Sequence, residues 1–347
     1  MSRYFLRRLF LMIPTLIGIT VVCFIIINLA PGGPIQQKLA MMRFGGAMGP
    51  GTAGTGGGTG YERGDQAVTE EIIEALKKQY GFDKPLLVRY GIWMKNIATL
   101  DFGESFIYEE PVIDVILERI PISLQFGLTS LMLTYLVCIA LGVIKALRDG
   151  SPFDVSSTVV LFIMYSVPSL MLGILLIVFV AGAENSWFPT GGIISDSYEE
   201  LSFWGKVEDR MRHFLLPLSC YMIGSFTFLT MLMKNSMLDV IKLDYVVTAQ
   251  AKGLADKVVY MKHALRNALI PVVTGMSGIL SIFFAGSVII ERIFQIDGMG
   301  LLGYNAALSR DYNVLMGLIF ISSILFLVGR LLVDFFYILV DPRIDFS

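Results

Sequence analysis

Six long runs almost free of charge dominate this chain: Leu9–Ala30, Ile120–Ile144, Val155–Ala183, Phe214–Met233, Ala268–Ile290 and Val314–Val340. Crossing roughly 30 Å of hydrocarbon takes about 20 helical residues. Lipid offers no hydrogen bonds, so runs of this length must close their backbone bonds internally, as helices. Only 16% of the 347 residues are charged, against about 25% in a soluble domain. The sequence therefore predicts an all-α integral membrane protein with six transmembrane helices.

The first run follows Arg3, Arg7 and Arg8. It exceeds the apolar core of a signal peptide, roughly 7–15 residues. It ends in Ala30-Pro31-Gly32-Gly33-Pro34, a poor cleavage site, and reads as a retained span. Six spans put Lys145, Arg148 and the cluster Lys234 to Arg266 on the same side as Arg3, Arg7, Arg8 and Arg343. Basic residues favour the cytoplasm, so both termini are expected there. The last run is interrupted by Arg330 and Asp334, one turn apart. Pairing with each other, with Arg330 snorkelling to the headgroups, is favoured over a charge on a transport path.

The polar stretch Asp244–Pro271 lies between two uncharged runs and carries Lys252, Lys257, Lys262, His263 and Arg266. A short loop this basic belongs inside the cell. Thr248, Ala249, Ala251 and Gly253 are small, which lets another backbone approach. Residue physics leaves two readings open: a loop gripped by a partner, or a solvated positive-inside loop.

Residues 31–119 are expected to form an external lobe. Gly45–Gly64 is a tether without the lysine of a phosphate-binding loop, which excludes a nucleotide site there. A helix is expected after Thr69, ending before Gly81. A second opens at Pro85, with Leu86, Tyr90, Trp93 and Ile97 on one face. A third begins at Pro111 and leads into the second span.

Catalytic patterns are absent. The two histidines, His213 and His263, lie far apart, and no metalloprotease, paired-cysteine or nucleophile-elbow motif occurs. No cofactor or metal site and no nucleic-acid binding is expected. Cys23, Cys138 and Cys220 sit in apolar runs as small packing residues. Ion-coupled carriers keep ionisable groups at mid-membrane; spans one to five have essentially none, so energy for transport should come from outside the chain. A secondary carrier acting without an ATPase is the alternative. Pro168 with Gly173, and Pro217 with Gly224, can loosen spans three and four for a gate, or simply kink them for packing.

Thr248-Ala249-Gln250-Ala251-Lys252-Gly253, followed by His263-Ala264-Leu265-Arg266-Asn267-Ala268-Leu269-Ile270-Pro271, resembles the EAA-type coupling loop of ATP-binding-cassette (ABC) importer permeases, most nearly their dipeptide and oligopeptide group. The resemblance covers nearly the whole chain. It includes Ala30–Pro34, Tyr80–Pro85, Asp101–Ser105, Gly298–Tyr304, Ser309–Tyr312 and the ending Asp341-Pro342-Arg343-Ile344-Asp345-Phe346. Two positions depart from it. Thr248 stands where the general motif has glutamate, and Gly33 replaces the acid of the Pro-Gly-Asp-Pro turn.

The resemblance implies a type I ABC importer (MetI-like) permease fold in a bacterial inner membrane. Residues 1–30 would hold the N-terminus and first span, 31–119 a periplasmic lobe, and 120–347 the permease core with a cytoplasmic coupling loop at 235–267. It further implies two ATPase domains, a second homologous permease and a periplasmic peptide-binding protein as partners, with oligopeptides, dipeptides or microcin C-type peptides as cargo. Asp244, Tyr245, Thr248, Ala249, Ala251, Lys252, Gly253, Arg266, Asn267 and Pro271 would be the ATPase-coupling residues. Asp244–Gly253 would form a short coupling helix ended by Gly253, and Ala255–Leu265 a second helix feeding span five. No substrate-binding residue can be read from the sequence.

Overall fold

The structure, a computed structural model, describes residues 2–29, 84–182, 187–274 and 286–340. Among these, helix is the only regular element apart from one isolated bridge between Glu104 and Pro111. The order is α1 (Ser2–Leu29), α2 (Leu86–Ala98), α3 (Val112–Leu147), α4 (Pro152–Ser166), α5 (Ser169–Leu176) and α6 (Phe203–Ile241). Then follow α7 (Asp244–Ala251), α8 (Asp256–Val258), α9 (Val288–Ile293), α10 (Met299–Leu308) and α11 (Tyr312–Val340). A wider π turn, Ile177–Ala181, extends α5; another, Val259–Ala264, carries α8 on to residue 274.

Among the described residues four helices, α1, α3, α6 and α11, are each long and apolar enough to cross a membrane. The third predicted span is two helices, α4 and α5 with its extension, meeting at 91°. The cause is Pro168, which has no N–H to donate and disfavours helical geometry at the residue before it. Val167 accordingly takes φ −90°, ψ 114°. Pro217 has no such effect: α6 runs unbroken through it and Gly224. The predicted fifth span lies partly outside the described residues, since 275–285 fall there. So do the Gly-rich segment, the helix expected after Thr69, the Ala30–Pro34 turn and the ending Asp341–Phe346.

The chain divides into two compact units. One comprises Pro14–Leu117 and Gly303–Ile321. In it Phe24 packs against Tyr90 and Trp93, with ring centroids 5.4 and 5.6 Å apart, and Thr20 shares a 3.0 Å hydrogen bond with Tyr90. The expected inner face of α2 holds at Tyr90, Trp93 and Ile97, whereas Leu86, at the first residue, is exposed. The buried Asp311 carboxylate accepts from the Ser105 hydroxyl (2.6 Å) and from the Phe106 and Ile107 N–H groups (2.9 and 3.4 Å). Gly317 lets two backbones approach: a Cβ there would lie 2.9 Å from Val112 Cγ1 and 3.0 Å from Ile116 Cδ1.

The other unit comprises Met1–Ile13, Glu118–Leu302 and Ser322–Ser347. It has two apolar cores. One joins Phe126 and Leu131 of α3, Leu216, Cys220 and Tyr221 of α6, Ile290, Phe294 and Ile296 near α9, and Val333 of α11. The second joins α3, α6, α7 and the α8 extension. Asp334 corrects the pairing expected for it: its carboxylate faces Arg8 of α1, while Arg330 is exposed.

Candidate functional site

The segment from Asp244 onward is built as a helix–turn–helix. Leu243, in extended geometry, precedes α7, and Asp244 places a carboxylate in the first turn, where the helix dipole favours it. The helix ends at Ala251. Gly253 takes φ +76°, a left-handed conformation that costs a residue with a side chain about 1–2 kcal/mol. Nothing lies within 4 Å of the position its Cβ would take, so backbone geometry alone selects glycine. The helix end expected at Gly253 and the second helix expected beyond it are both present.

Two residues anchor α7. Val246 and Ala249, three apart and so on one face, are buried in the core with Val143 and Ala146 of α3, Met233, Met237 and Val240 of α6, and Val259, Ala264, Ala268 and Val272. Ala249 is therefore small because its own chain packs over it; its side chain is turned away from the outer surface. Tyr245 adds a polar clamp. Its hydroxyl accepts from Asn267 Nδ2 at 2.6 Å and donates to the His263 carbonyl at 3.4 Å. Thr248, at the position of the family's glutamate, turns its hydroxyl back to the Asp244 carbonyl at 2.7 Å.

The opposite face is open. Asp244, Tyr245, Thr248, Ala251, Lys252, Gly253, Arg266, Asn267 and Pro271 are all exposed. Around them Val247 and Met261, each 51% exposed, stand with Leu254, Val258 and Leu243 among Lys242, Lys252, Lys257 and Lys262. Nine of the ten sequence-identified positions are thus exposed, and the tenth, Ala249, is turned into the core beneath.

Buried charges next to this patch were not legible from the apolar runs. Lys145 near the end of α3 is fully buried, its ammonium within 2.7 Å of Ser157 Oγ and Thr158 Oγ1, 2.8 Å of the Asp154 carbonyl and 3.0 Å of the Asp154 carboxylate. Lys234 of α6, which counts in the sequence as one more positive-inside charge, bridges Asp149 at 2.8 Å and Asp154 at 2.7 Å. Ser151, Pro152 and Asp154 do announce a helix start, and Ser151 Oγ accepts from Asp154 N at 3.3 Å. Nothing local announces a lysine 80 residues away.

Glu291, just past the predicted fifth span, is also buried. Its carboxylate accepts from Ser287 N (3.1 Å), Leu301 N (2.6 Å) and the Tyr221 hydroxyl (3.4 Å). Burial pushes its pKa up, opposed by those donors. Gly286, Gly298 and Gly300 enclose it so tightly that a Cβ on Gly298 would meet the carboxyl carbon at 2.6 Å.

Comparison with known proteins identifies the chain. It is 43% identical to the peptidoglycan transport system permease protein YejB of Agrobacterium fabrum, covering all of this chain and 99% of that protein. It is 41% identical to the inner membrane ABC transporter permease protein YejB of Escherichia coli O157:H7, and 36% identical to the oligopeptide transport system permease protein AppB of Bacillus subtilis, with both chains covered in full in each case. Among solved structures, an inward-facing MetNI methionine ABC transporter aligns with 64% of this chain and 96% of its own, at 15% identity and a TM-score of 0.46. Residues 138–346 match the model of the binding-protein-dependent transport system inner membrane component, and the chain belongs to that family, as a multi-pass ABC-transporter permease.

Proposed function

We propose that this chain is one permease half of an ATP-driven importer of peptides, with α7 as its coupling helix. The names of its relatives speak of oligopeptide and of peptidoglycan transport; peptide is the cargo class taken here. The observation that carries the coupling role is the two-sided packing of α7: Val246 and Ala249 hold it rigidly to α3 and α6, while Val247, Lys252 and the neighbouring cations face outward. A helix pressed from outside transmits force only if its inner side cannot yield, and close-packed interiors are nearly incompressible.

In this reading six spans cross the inner membrane with both termini cytoplasmic. A second, related permease completes the pathway, two ATPase domains grip the Asp244–Pro271 surface, and a periplasmic binding protein delivers cargo. The external lobe (Val68–Arg119) and the loops Asn185–Arg212 and Glu291–Tyr312 would be the delivery surface. This chain hydrolyses nothing; closure of the ATPases on bound ATP would reorient spans three to five. Absence of charge from the middle of the first five apolar runs favours this over an ion-coupled carrier.

Val247→Asp tests the contact without touching the core, because Val247 is exposed. The variant should be made at normal level but fail to bring the ATPase subunit with it through affinity purification of the assembled transporter. Undiminished co-purification would remove the outer face of α7 from the contact.

A further inference from the structure

The first turns of α6 carry their polar side inward and their apolar side outward. Lys206, Asp209 and His213, spaced by three and four residues, face the preceding loop of the same chain. Lys206 pairs with Glu199 at 2.8 Å and stands 5.0 Å from the centre of the Tyr198 ring. The Asp209 carboxylate accepts from the Ser195 N–H at 3.0 Å, and His213 is buried. Trp204, Val207, Met211 and Leu215 repeat at the same spacing but are offset by two residues, about 200° round the helix. They are exposed, and so is Phe203, whose ring meets that of Trp204 edge-on with centroids 5.6 Å apart. Exposure is greatest at the tip: 77% at Trp204 and 73% at Phe203, against 38% at Val207, 53% at Met211 and 37% at Leu215.

Lipid does not account for the tip. The apolar run Phe214–Met233 has 20 residues, enough by itself for the roughly 30 Å of hydrocarbon. Trp204 lies ten residues before it, about 15 Å of helix. Tilting the helix by about 40° still leaves about 11 Å. The headgroup layer takes up only about 5–8 Å on each side. The two rings therefore stand in water beyond the headgroups, on the side opposite α7. Their surroundings are acidic. Residues 196–212 hold five acids (Asp196, Glu199, Glu200, Glu208 and Asp209) and three bases (Lys206, Arg210 and Arg212), 3 − 5 = −2.

We propose that Phe203 and Trp204 anchor the soluble binding protein that delivers cargo, by entering an apolar pocket of that protein rimmed by basic side chains. This rests on the proposed function and narrows its delivery surface, three segments long, to one pair of rings. A large aromatic side chain set in a polar rim is the kind of residue that dominates the energy of a protein interface. The charges around the rings also suit a partner that comes and goes. A single apolar row flanked by the Glu208–Arg212 ion pair and by Arg210 stays soluble while vacant. A neighbour fixed in the membrane would lie against the side of α6. The two most exposed rings stand at its outermost turn instead, open to approach from above.

The test uses the complete transporter (both permeases and the ATPases) in lipid nanodiscs. ATP hydrolysis is followed while its own purified, peptide-loaded binding protein is added. The double variant Phe203→Ala with Trp204→Ala should need at least about tenfold more binding protein for half-maximal stimulation. Trp204→Phe, which keeps an aromatic ring, should fall between that variant and the parent. An unchanged half-maximal concentration in the double variant would overturn the proposal, as would a rate lowered equally at every concentration. A second measurement does not depend on the alanine variants. Trp204→Cys, in a background lacking Cys23, Cys138 and Cys220, is coupled to a photoactivated crosslinker and irradiated with the binding protein present. The crosslinked product, identified by mass, should be the binding protein. A product with the second permease or with lipid alone gives the rings another occupant and refutes the proposal. If the binding protein does not stimulate the parent transporter at all, the importer reading fails; if it does and the variants match the parent, only the anchor fails.

Discussion

At the scale of single residues, three small side chains look alike in sequence and do different work. Gly253 is fixed by its left-handed backbone, Gly298 by contact with Glu291, and Ala249 by the core above α3 and α6. The consequences differ accordingly. Gly253→Ala should cost about 1–2 kcal/mol, the price of the positive φ alone. Ala249→Leu adds volume to a filled core and should cost about 1–3 kcal/mol. Gly298→Ala forces a carboxylate and its backbone donors apart and should be the most damaging of the three. Thermal unfolding of the purified variants in detergent checks that order; Gly298→Ala as stable as the parent would show that the Glu291 enclosure relaxes freely. The sequence disclosed that these positions are small. It did not disclose why, because a face that admits a partner and a face that admits the chain itself call for the same side chains.

Among the elements, what was legible followed from local chemistry. The end of α7 was readable because glycine tolerates positive φ; proline marked spans three and four alike, yet only Pro168 breaks its helix while α6 runs on through Pro217. The apolar runs located α1, α6 and α11 well, but not the ends of α3 and α6, where polar residues continue the helix beyond the hydrocarbon. Distant pairing was invisible: Asp311 with Ser105, Asp154 with Lys234 and Asp334 with Arg8 each join residues at least 80 positions apart. Such a pair has an expected cost when halved. Ser105→Ala takes one of several donors from a buried carboxylate and should destabilise its unit by about 1.5–3 kcal/mol, as for a hydrogen bond to a charged group. Limited proteolysis near Ser105 should quicken in that variant; unchanged cleavage would mean that the backbone donors suffice.

For the whole molecule, the reading depends on which side of the membrane each end of α6 occupies. Cysteines placed singly at exposed Trp204 and exposed Lys252, in a background without Cys23, Cys138 and Cys220, provide the test. With the coupling surface inside, a membrane-impermeant thiol reagent added to spheroplasts should label the Trp204→Cys chain and leave Lys252→Cys unlabelled until the membrane is opened. Labelling of Lys252→Cys from outside would invert the topology and remove α7 from any cytoplasmic partner. The sequence carried this expectation through the distribution of its lysines and arginines, whereas lipid-facing and path-facing sides are both apolar and left no mark that separates them.

The central claim is mechanical: the chain forms a passive half-pathway driven by ATP hydrolysis on other subunits. Peptide uptake into proteoliposomes addresses it directly. Uptake is predicted only when the second permease, the ATPases, the binding protein and ATP are all present, and it should stop when ATP is replaced by a non-hydrolysable analogue. Uptake by this chain alone, driven by an ion gradient without ATP, would contradict the account.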